Sequence, residues 1–269
     1  MTEPRDSAGT RDDGTPGRPT PGTPCWVSLM AHRPEASQAF YGALFGWEFQ
    51  PGPQQLGPYV RALLDGHEVA GIGQLPEGRE LPIAWTPYLA SDDVNVTAET
   101  IRHCGGTVGV GPLDAAEAGR MAIASDPAGA VFGVWQAAAH LGAALTGVPG
   151  AQAWNELVTR ESASVSAFYR AVFGFRTEAE VSADLDYVTL LLDEKPMAAV
   201  HGVGNSPSYG QGSRWMTYFA VADVERAVER VGGLGGHLVT PPRDTAHGRI
   251  ATVADPEGAV FTVIRSERG

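Results

Sequence analysis

The stretch Ala39-Phe40-Tyr41-Gly42-Ala43-Leu44-Phe45-Gly46 returns as Ala167-Phe168-Tyr169-Arg170-Ala171-Val172-Phe173-Gly174, displaced by 128 positions. In the second occurrence Val165, Phe168, Tyr169, Val172 and Phe173 stand at i, i+3, i+4, i+7 and i+8, which gathers all five on one face of a helix. Ser37, Phe40, Tyr41, Leu44 and Phe45 repeat the pattern in the first. Gly46 and Gly174 are placed to stop these helices, because glycine accepts the left-handed conformation at a helix end. Upstream, Trp26 and Leu29 recur as Trp154 and Leu157 at the same offset. Downstream, Asp126-Pro127-Ala128-Gly129-Ala130-Val131-Phe132 recurs as Asp255-Pro256-Glu257-Gly258-Ala259-Val260-Phe261, displaced by 129. A motif order kept this closely over more than a hundred residues identifies two tandem copies of one module.

Each copy divides again. Val94, Thr97, Ala98 and Ile101, matched by Val224, Ala227, Val228 and Val231, predict a second amphipathic helix per copy, with Asp93 and Asp223 as N-caps. The remaining segments are short and bracketed by turns such as Asp65-Gly66, so each half reads β-α-β-β-β and the fold class is α+β. The expected boundaries are a disordered tail over 1–22, module one over 23–136, a linker over 137–151 beginning with a helical turn, and module two over 152–266.

A chain of 269 residues that is 43% hydrophobic can give two modules real cores. Its net charge of −12 and the lack of a basic stripe exclude a phosphate-tracking surface, so nucleic acid is not an expected partner. Cys25 and Cys104 fall at non-equivalent points of the repeat and read as reduced thiols. With no secretory apolar run and no stretch long enough to cross a bilayer, the expected location is the cytoplasm and no membrane is a partner.

Paired βαβββ units, a helix ending in Phe-Tyr-x-x-x-Phe-Gly, a later Asp-Val opening a second helix, and a closing Asp-Pro-x-Gly strand resemble the glyoxalase/bleomycin-resistance group, the vicinal oxygen chelate superfamily. The tandem arrangement is similar to its two-module glyoxalase-like proteins. The likeness covers about residues 24–136 and 152–266. It implies modules whose paired units form a curved sheet around a cavity. It does not fix one activity, since the superfamily hosts isomerases, ring-cleaving dioxygenases, lyases, cyclases and drug-binding proteins.

Metal-using members carry four ligand positions on the cavity face. Matched here, they are Ser28, Gly73, Thr86 and Gly133 in copy one, and Glu156, His201, Met216 and Thr262 in copy two. Only Glu156 and His201 are ligand types favoured by transition metals, so no metal site and no cofactor are expected. The pair reads as a buried hydrogen-bonded remnant, as an acid–base or substrate-anchoring dyad, or as true metal ligands.

Alternation along strands puts Trp154, Met197, Ala199, Met216, Val260 and Thr262 on the cup of copy two, with Tyr218 as a hydroxyl donor beside the catalytic candidates Glu156 and His201. In copy one, Trp26, Ser28, Thr86 and Tyr88 line a cup almost free of titratable groups. Trp85 and Trp215 should face the helices. His32, His67, His103, His140, His237 and His247 show no ligand spacing and are expected at the surface or in turns. The leading expectation is a metal-independent protein binding a hydrophobic, aromatic or polycyclic small molecule of natural-product metabolism. Copy two is its working site, and any chemistry is proton transfer: isomerisation, cyclisation or ring opening. The alternatives are a non-catalytic drug-sequestering protein and a metal-dependent dioxygenase or glyoxalase-type lyase. Oligomeric state is left open.

Overall fold

The computed structural model describes residues 17–53, 57–76, 78, 82–182, 185–204 and 212–265. Module one runs β1 (Pro24–Ala31), α1 (Pro34–Phe45), β2 (Glu48–Pro51), β3 (Tyr59–Leu64), β4 (His67–Gln74), β5 (Trp85–Ala90), α2 (Val94–His103), β6 (Thr107–Asp114), β7 (Gly119–Ser125) and β8 (Val131–Ala137). Module two repeats this as β9 (Gln152–Thr159), α3 (Ser162–Phe173), β10 (Arg176–Ser182), β11 (Leu185–Leu192), β12 (Lys195–Gly202), β13 (Arg214–Ala220), α4 (Val224–Gly233), β14 (His237–Thr245), β15 (Gly248–Ala254) and β16 (Val260–Arg265). The four βαβββ units read from the repeat are all present.

Each module closes its two units into one curved eight-stranded sheet, ordered β2-β3-β4-β1-β5-β8-β7-β6 and β10-β11-β12-β9-β13-β16-β15-β14. The central strands β1 and β5 are antiparallel, and each has a parallel outer neighbour, β4 and β8. Gly46 (φ 79°) and Gly174 (φ 74°) adopt the left-handed C-cap. Asp93 accepts hydrogen bonds from the backbone N–H groups of Asn95 and Val96, and Asp223 from that of Arg226.

The helices do not give each module a private core. Phe40, Tyr41 and Phe45 of α1 pack with Phe219, Val224 and Phe261 of module two, while Phe168, Tyr169 and Phe173 of α3 pack with Leu89, Ile101 and Phe132 of module one. Burial of side chains this large contributes about 1.5–3 kcal/mol each, so packing across the module boundary is a substantial part of the apolar driving force. A polar chain threads each shared core. Trp85 Nε1 donates to the Tyr41 hydroxyl (3.0 Å), which donates to Asp255 Oδ2 (3.0 Å). Its twin runs from Trp215 Nε1 through Tyr169 to Asp126 Oδ2, at 2.9 and 3.3 Å. The other oxygen of each aspartate caps its own Asp-Pro-x-Gly turn, accepting from Ala128 and Ala130 or from Glu257 and Ala259. Burial raises the pKa of both carboxyls, against the pull of these donors. Trp85 and Trp215 thus face the helices, as their register predicts.

Two expectations need correction. Residues 1–16 of the tail lie outside the described residues, but 17–22 are seated on the body: Gly22 N–H donates to Ala90 O at 2.8 Å, with its Cα beside Phe173. The connection between modules contains no helical turn. It is laid along module one, with Ala143 N–H on Cys25 O (2.7 Å) and Ala144 N–H on Glu68 O (2.8 Å). Glycines at positive φ turn it there, and at Gly142 (φ 123°) a Cβ would meet Cys25 O at 2.3 Å.

Candidate functional site

Val27, Leu29 and Ala31 of β1 are fully buried toward the helices, which sends Trp26 and Ser28 to the opposite, concave face. There module one holds a cavity of about 100 Å³, walled by Trp26, Tyr59, Tyr88, Met121, Trp135 and His140, with Ser28 and Arg61 also lining it. Thr86 pairs with Ser28 in register and shares its face, but is not among the lining residues.

The floor is built from glycines that let tyrosine rings lie on the sheet. A Cβ on Gly71 would fall 1.7 Å from the Tyr59 hydroxyl, one on Gly133 would fall 2.2 Å from the Tyr88 ring, and one on Gly73 would fall 2.7 Å from Met30 Sδ. Above them runs a hydrogen-bond chain. Trp26 Nε1 donates to the Tyr59 hydroxyl (2.8 Å), which shares a hydrogen with Ser28 Oγ (2.7 Å). Burial pushes both tyrosine pKa values up, so both phenols remain protonated.

The rim corrects the expectation of a cup almost free of titratable groups. Arg61 Nη1 and His140 Nδ1 both engage the Glu68 carboxylate, the latter at 2.9 Å. The hydrogen bond from His140 is the largest cause holding the Glu68 pKa low. His140, expected in a surface turn, instead sits edge-on between Trp26 and Trp135, with ring centroids 4.5 and 5.6 Å away. Trp135 Nε1 fixes it further by donating to the His140 carbonyl at 2.9 Å. Nothing in the repeat announced His140, because it comes from the connection. Tyr59 did carry a signal: its partner at the 128 offset is Tyr187.

Module two places a carboxylate at the Ser28 position. His201 Nδ1 lies 3.2 Å from Glu156 Oε1, and the Tyr187 and Tyr218 phenols are close enough to feel the Glu156 charge. The register sets His201 opposite Val158, so it reaches Glu156 diagonally along the parallel β9/β12 pair. Burial first, then the Glu156 charge, raise the pKa of Tyr187 and Tyr218. Met216, Tyr218, Val158, Ile250 and Ile264 form the apolar cup, with Trp154 and Val260 packed against it. Ala199 pairs with Glu156, and Thr262 pairs with Tyr218 and meets Thr252 Oγ1 at 3.3 Å. His247, expected in a turn, is exposed yet lies over the Tyr187 ring at 6.2 Å. Met197 is a correction. The pairing slips between Leu190–Ala198 and Leu191–Pro196, and the extra residue, Met197, packs with the α3 core instead of the cup.

The ligand positions of metal-using relatives do not form a donor set. In module one Gly73 and Gly133 supply no donor, and Met30 and Tyr88 occupy the space a side chain would need. In module two Glu156 and His201 have only Met216 and Thr262 beside them at the matched positions, and among the described residues no three His, Cys, Asp or Glu side chains converge.

Residues 155–264 match the family model described as a glyoxalase-like domain. The chain is 37% identical over 250 residues to the putative glyoxylase CFP32 of Mycobacterium tuberculosis, covering 91% of this chain and 95% of that one. It is 35% identical over 269 residues to the anthracycline biosynthesis protein DnrV of Streptomyces peucetius, covering 93% and 95%. The fold is shared with the Mn(II)-bound glyoxalase from Novosphingobium aromaticivorans (TM-score 0.63, 16% identity, 91% of this chain and 83% of that). It is shared equally with the 2,3-dioxygenase LapB from Pseudomonas sp. KL28 (TM-score 0.62, 16% identity, 93% of both). With two βαβββ pairs around concave cups and relatives of this identity over nearly its whole length, the chain belongs to the glyoxalase-like family of the vicinal oxygen chelate superfamily.

Proposed function

We propose that this protein binds an aromatic or polycyclic small molecule of natural-product metabolism, without a metal ion and in the cytoplasm, and that Glu156 of module two moves a proton on it. One observation carries the reading. Glu156 stands on the concave face with the His201 imidazole 3.2 Å from its carboxylate and with its charge felt by the Tyr187 and Tyr218 phenols, where module one has only Ser28. The relatives named for anthracycline biosynthesis support the ligand class.

The arrangement couples two steps. While Glu156 is ionised, its charge keeps the Tyr187 and Tyr218 phenols protonated. Taking a proton from carbon or oxygen of the substrate removes that charge and frees Tyr218 O–H to turn toward the oxyanion being formed. His201 keeps the carboxylate oriented throughout. Isomerisation, cyclisation and ring opening that pass through an enolate can use this pair of events.

Glu156→Gln keeps the size of the side chain and removes the base. It is expected to lower turnover of the bound substrate by about 10² to 10⁴ while binding still quenches Trp154 fluorescence. Full activity with the true substrate would sink the catalytic assignment. Elemental analysis after brief chelation is expected to find no stoichiometric transition metal. About one Zn, Fe, Mn or Ni per chain would restore the lyase or dioxygenase reading. A second reading, a protein that sequesters its ligand without turnover, is favoured by the module-one cavity, which has aromatic walls and no acid at the Glu156 position.

A further inference from the structure

The hairpin of β14 and β15 carries a cation where its twin in module one carries a leucine. In module one the hairpin of β6 and β7 walls the cup, since Ala115, Ala118 and Met121 line the cavity. Leu113 pairs with Met121 in register, and directly opposed residues share a face of the sheet. In module two the same pairing sets Arg243 opposite Ile250, a member of the apolar cup. The next pair along, Asp114–Arg120 in one hairpin and Asp244–Arg249 in the other, is the same in both. The exchange on the concave side of the wall is therefore Leu113 for Arg243.

The two arginines of the hairpin are held differently. Arg249, one residue before Ile250 and so on the opposite face, is engaged by Glu225 of α4 at 2.6 Å and by Asp244 at 2.8 Å. Arg243 is exposed, and among the described residues no carboxylate pairs with it. Its charge still reaches the cup: burial first, then Glu156, raise the Tyr218 pKa, and Arg243 pulls against them. His247, in the turn of the same hairpin, lies over the Tyr187 ring of β11 at 6.2 Å, so the hairpin leans across the mouth of the cup from one side of the sheet toward the other.

A guanidinium stays charged and offers a planar fork of donors that matches an anionic oxygen. In a chain of net charge −12, most of the surface repels anions, so an unneutralised arginine beside an apolar cup singles out one place for them. Three strands separate β14 from β9 in the sheet order, which keeps an anionic group on Arg243 clear of the Glu156 carboxylate.

We propose that Arg243 sets the specificity of the module-two cup for an aromatic acid, holding its anionic oxygen at the end of the ligand away from Glu156. This rests on the aromatic-ligand reading above and adds the charge of the ligand and the direction in which it lies.

Two probes of one shape test it on the full chain by equilibrium dialysis: 2-naphthoate and the uncharged 2-naphthamide. The naphthoate is expected to bind roughly three- to tenfold more tightly at low ionic strength, a modest ratio because an exposed guanidinium is screened by water. Salt at about 0.5 M should bring the ratio toward one while the affinity for the amide stays in place. Arg243→Leu should abolish the preference while naphthamide binding persists, which also reports that the variant is folded. Arg226→Leu removes an equal charge from the exposed side of α4 and should leave the ratio unchanged. Equal binding of the two probes to the natural chain, a preference that survives Arg243→Leu, or an equal loss in Arg226→Leu would overturn the proposal. In each of those cases the aromatic-ligand reading stands, because the amide still binds. If neither probe binds, both fall.

Discussion

The two cups are the same construction with two positions exchanged, Ser28 for Glu156 and Gly73 for His201. Trp26, Tyr59, Ser28 and Tyr88 of module one correspond in sequence to Trp154, Tyr187, Glu156 and Tyr218 of module two, save that Tyr88 and Tyr218 are 130 positions apart. A hydroxyl at the centre both gives and takes. A carboxylate only accepts, and here it stands beside the imidazole of His201. In module one the His201 position is Gly73, and Met30 has taken the space. The comparison teaches that this scaffold puts an acid and an imidazole into one cup and leaves them out of the other by replacing a residue on the first strand and one on the fourth.

The largest expected difference between the cups is catalytic. Glu156→Gln should cost about 10² to 10⁴ in rate, whereas Ser28→Ala should cost turnover far less; comparable losses in single-turnover assays would break the division of roles. Next comes stability at the shared cores. Tyr41→Phe and Tyr169→Phe each strip a partner from a buried aspartate and an indole, which should lower unfolding free energy by about 1–3 kcal/mol in denaturant titrations. Near-equal costs would confirm that the two cores are equivalent even though the cups are not.

A third effect sharpens the floor. Gly71→Ala places a methyl group on the Tyr59 hydroxyl and should destabilise by roughly 1–3 kcal/mol, whereas module two already carries Ala199 at that position. A neutral result would mean that Tyr59 is free to adopt another rotamer. The smallest effect is at the rim, where Glu68 has no counterpart, since module two carries Pro196 there. Because its pKa is lowered in the fold, Glu68 contributes stability above the ordinary carboxylate range and loses it as pH falls through the folded value. The melting-temperature deficit of Glu68→Gln should therefore shrink from neutral pH into acid. Asp126 and Asp255, with raised pKa values, have the opposite sign: their contribution is present below the ordinary range and lost as pH rises through the folded value. A deficit that grows in acid would mean that the His140 contact does not hold Glu68 ionised.

The sequence alone determined what is local and repeated. Two modules, four βαβββ units, the buried helix faces, the Asp93 and Asp223 caps and the inward turn of Trp85 and Trp215 all follow from periodicity and turn chemistry, which act within a few residues. Glu156, His201 and Tyr218 were legible as neighbours for the same reason, since strand alternation and a repeat suffice to put them on one face. Only the tertiary structure decided the rest. Each helix packs on the other module, because an apolar stripe records that it must be buried and not against what. His140 enters the module-one cup from the connection, and Arg61 and Glu68 meet it there, because contacts made by chain closure leave no period to read. Met197 left the cup because one bulged residue reverses the faces of a strand, and a bulge is set by the partner strand's register, which no single strand encodes.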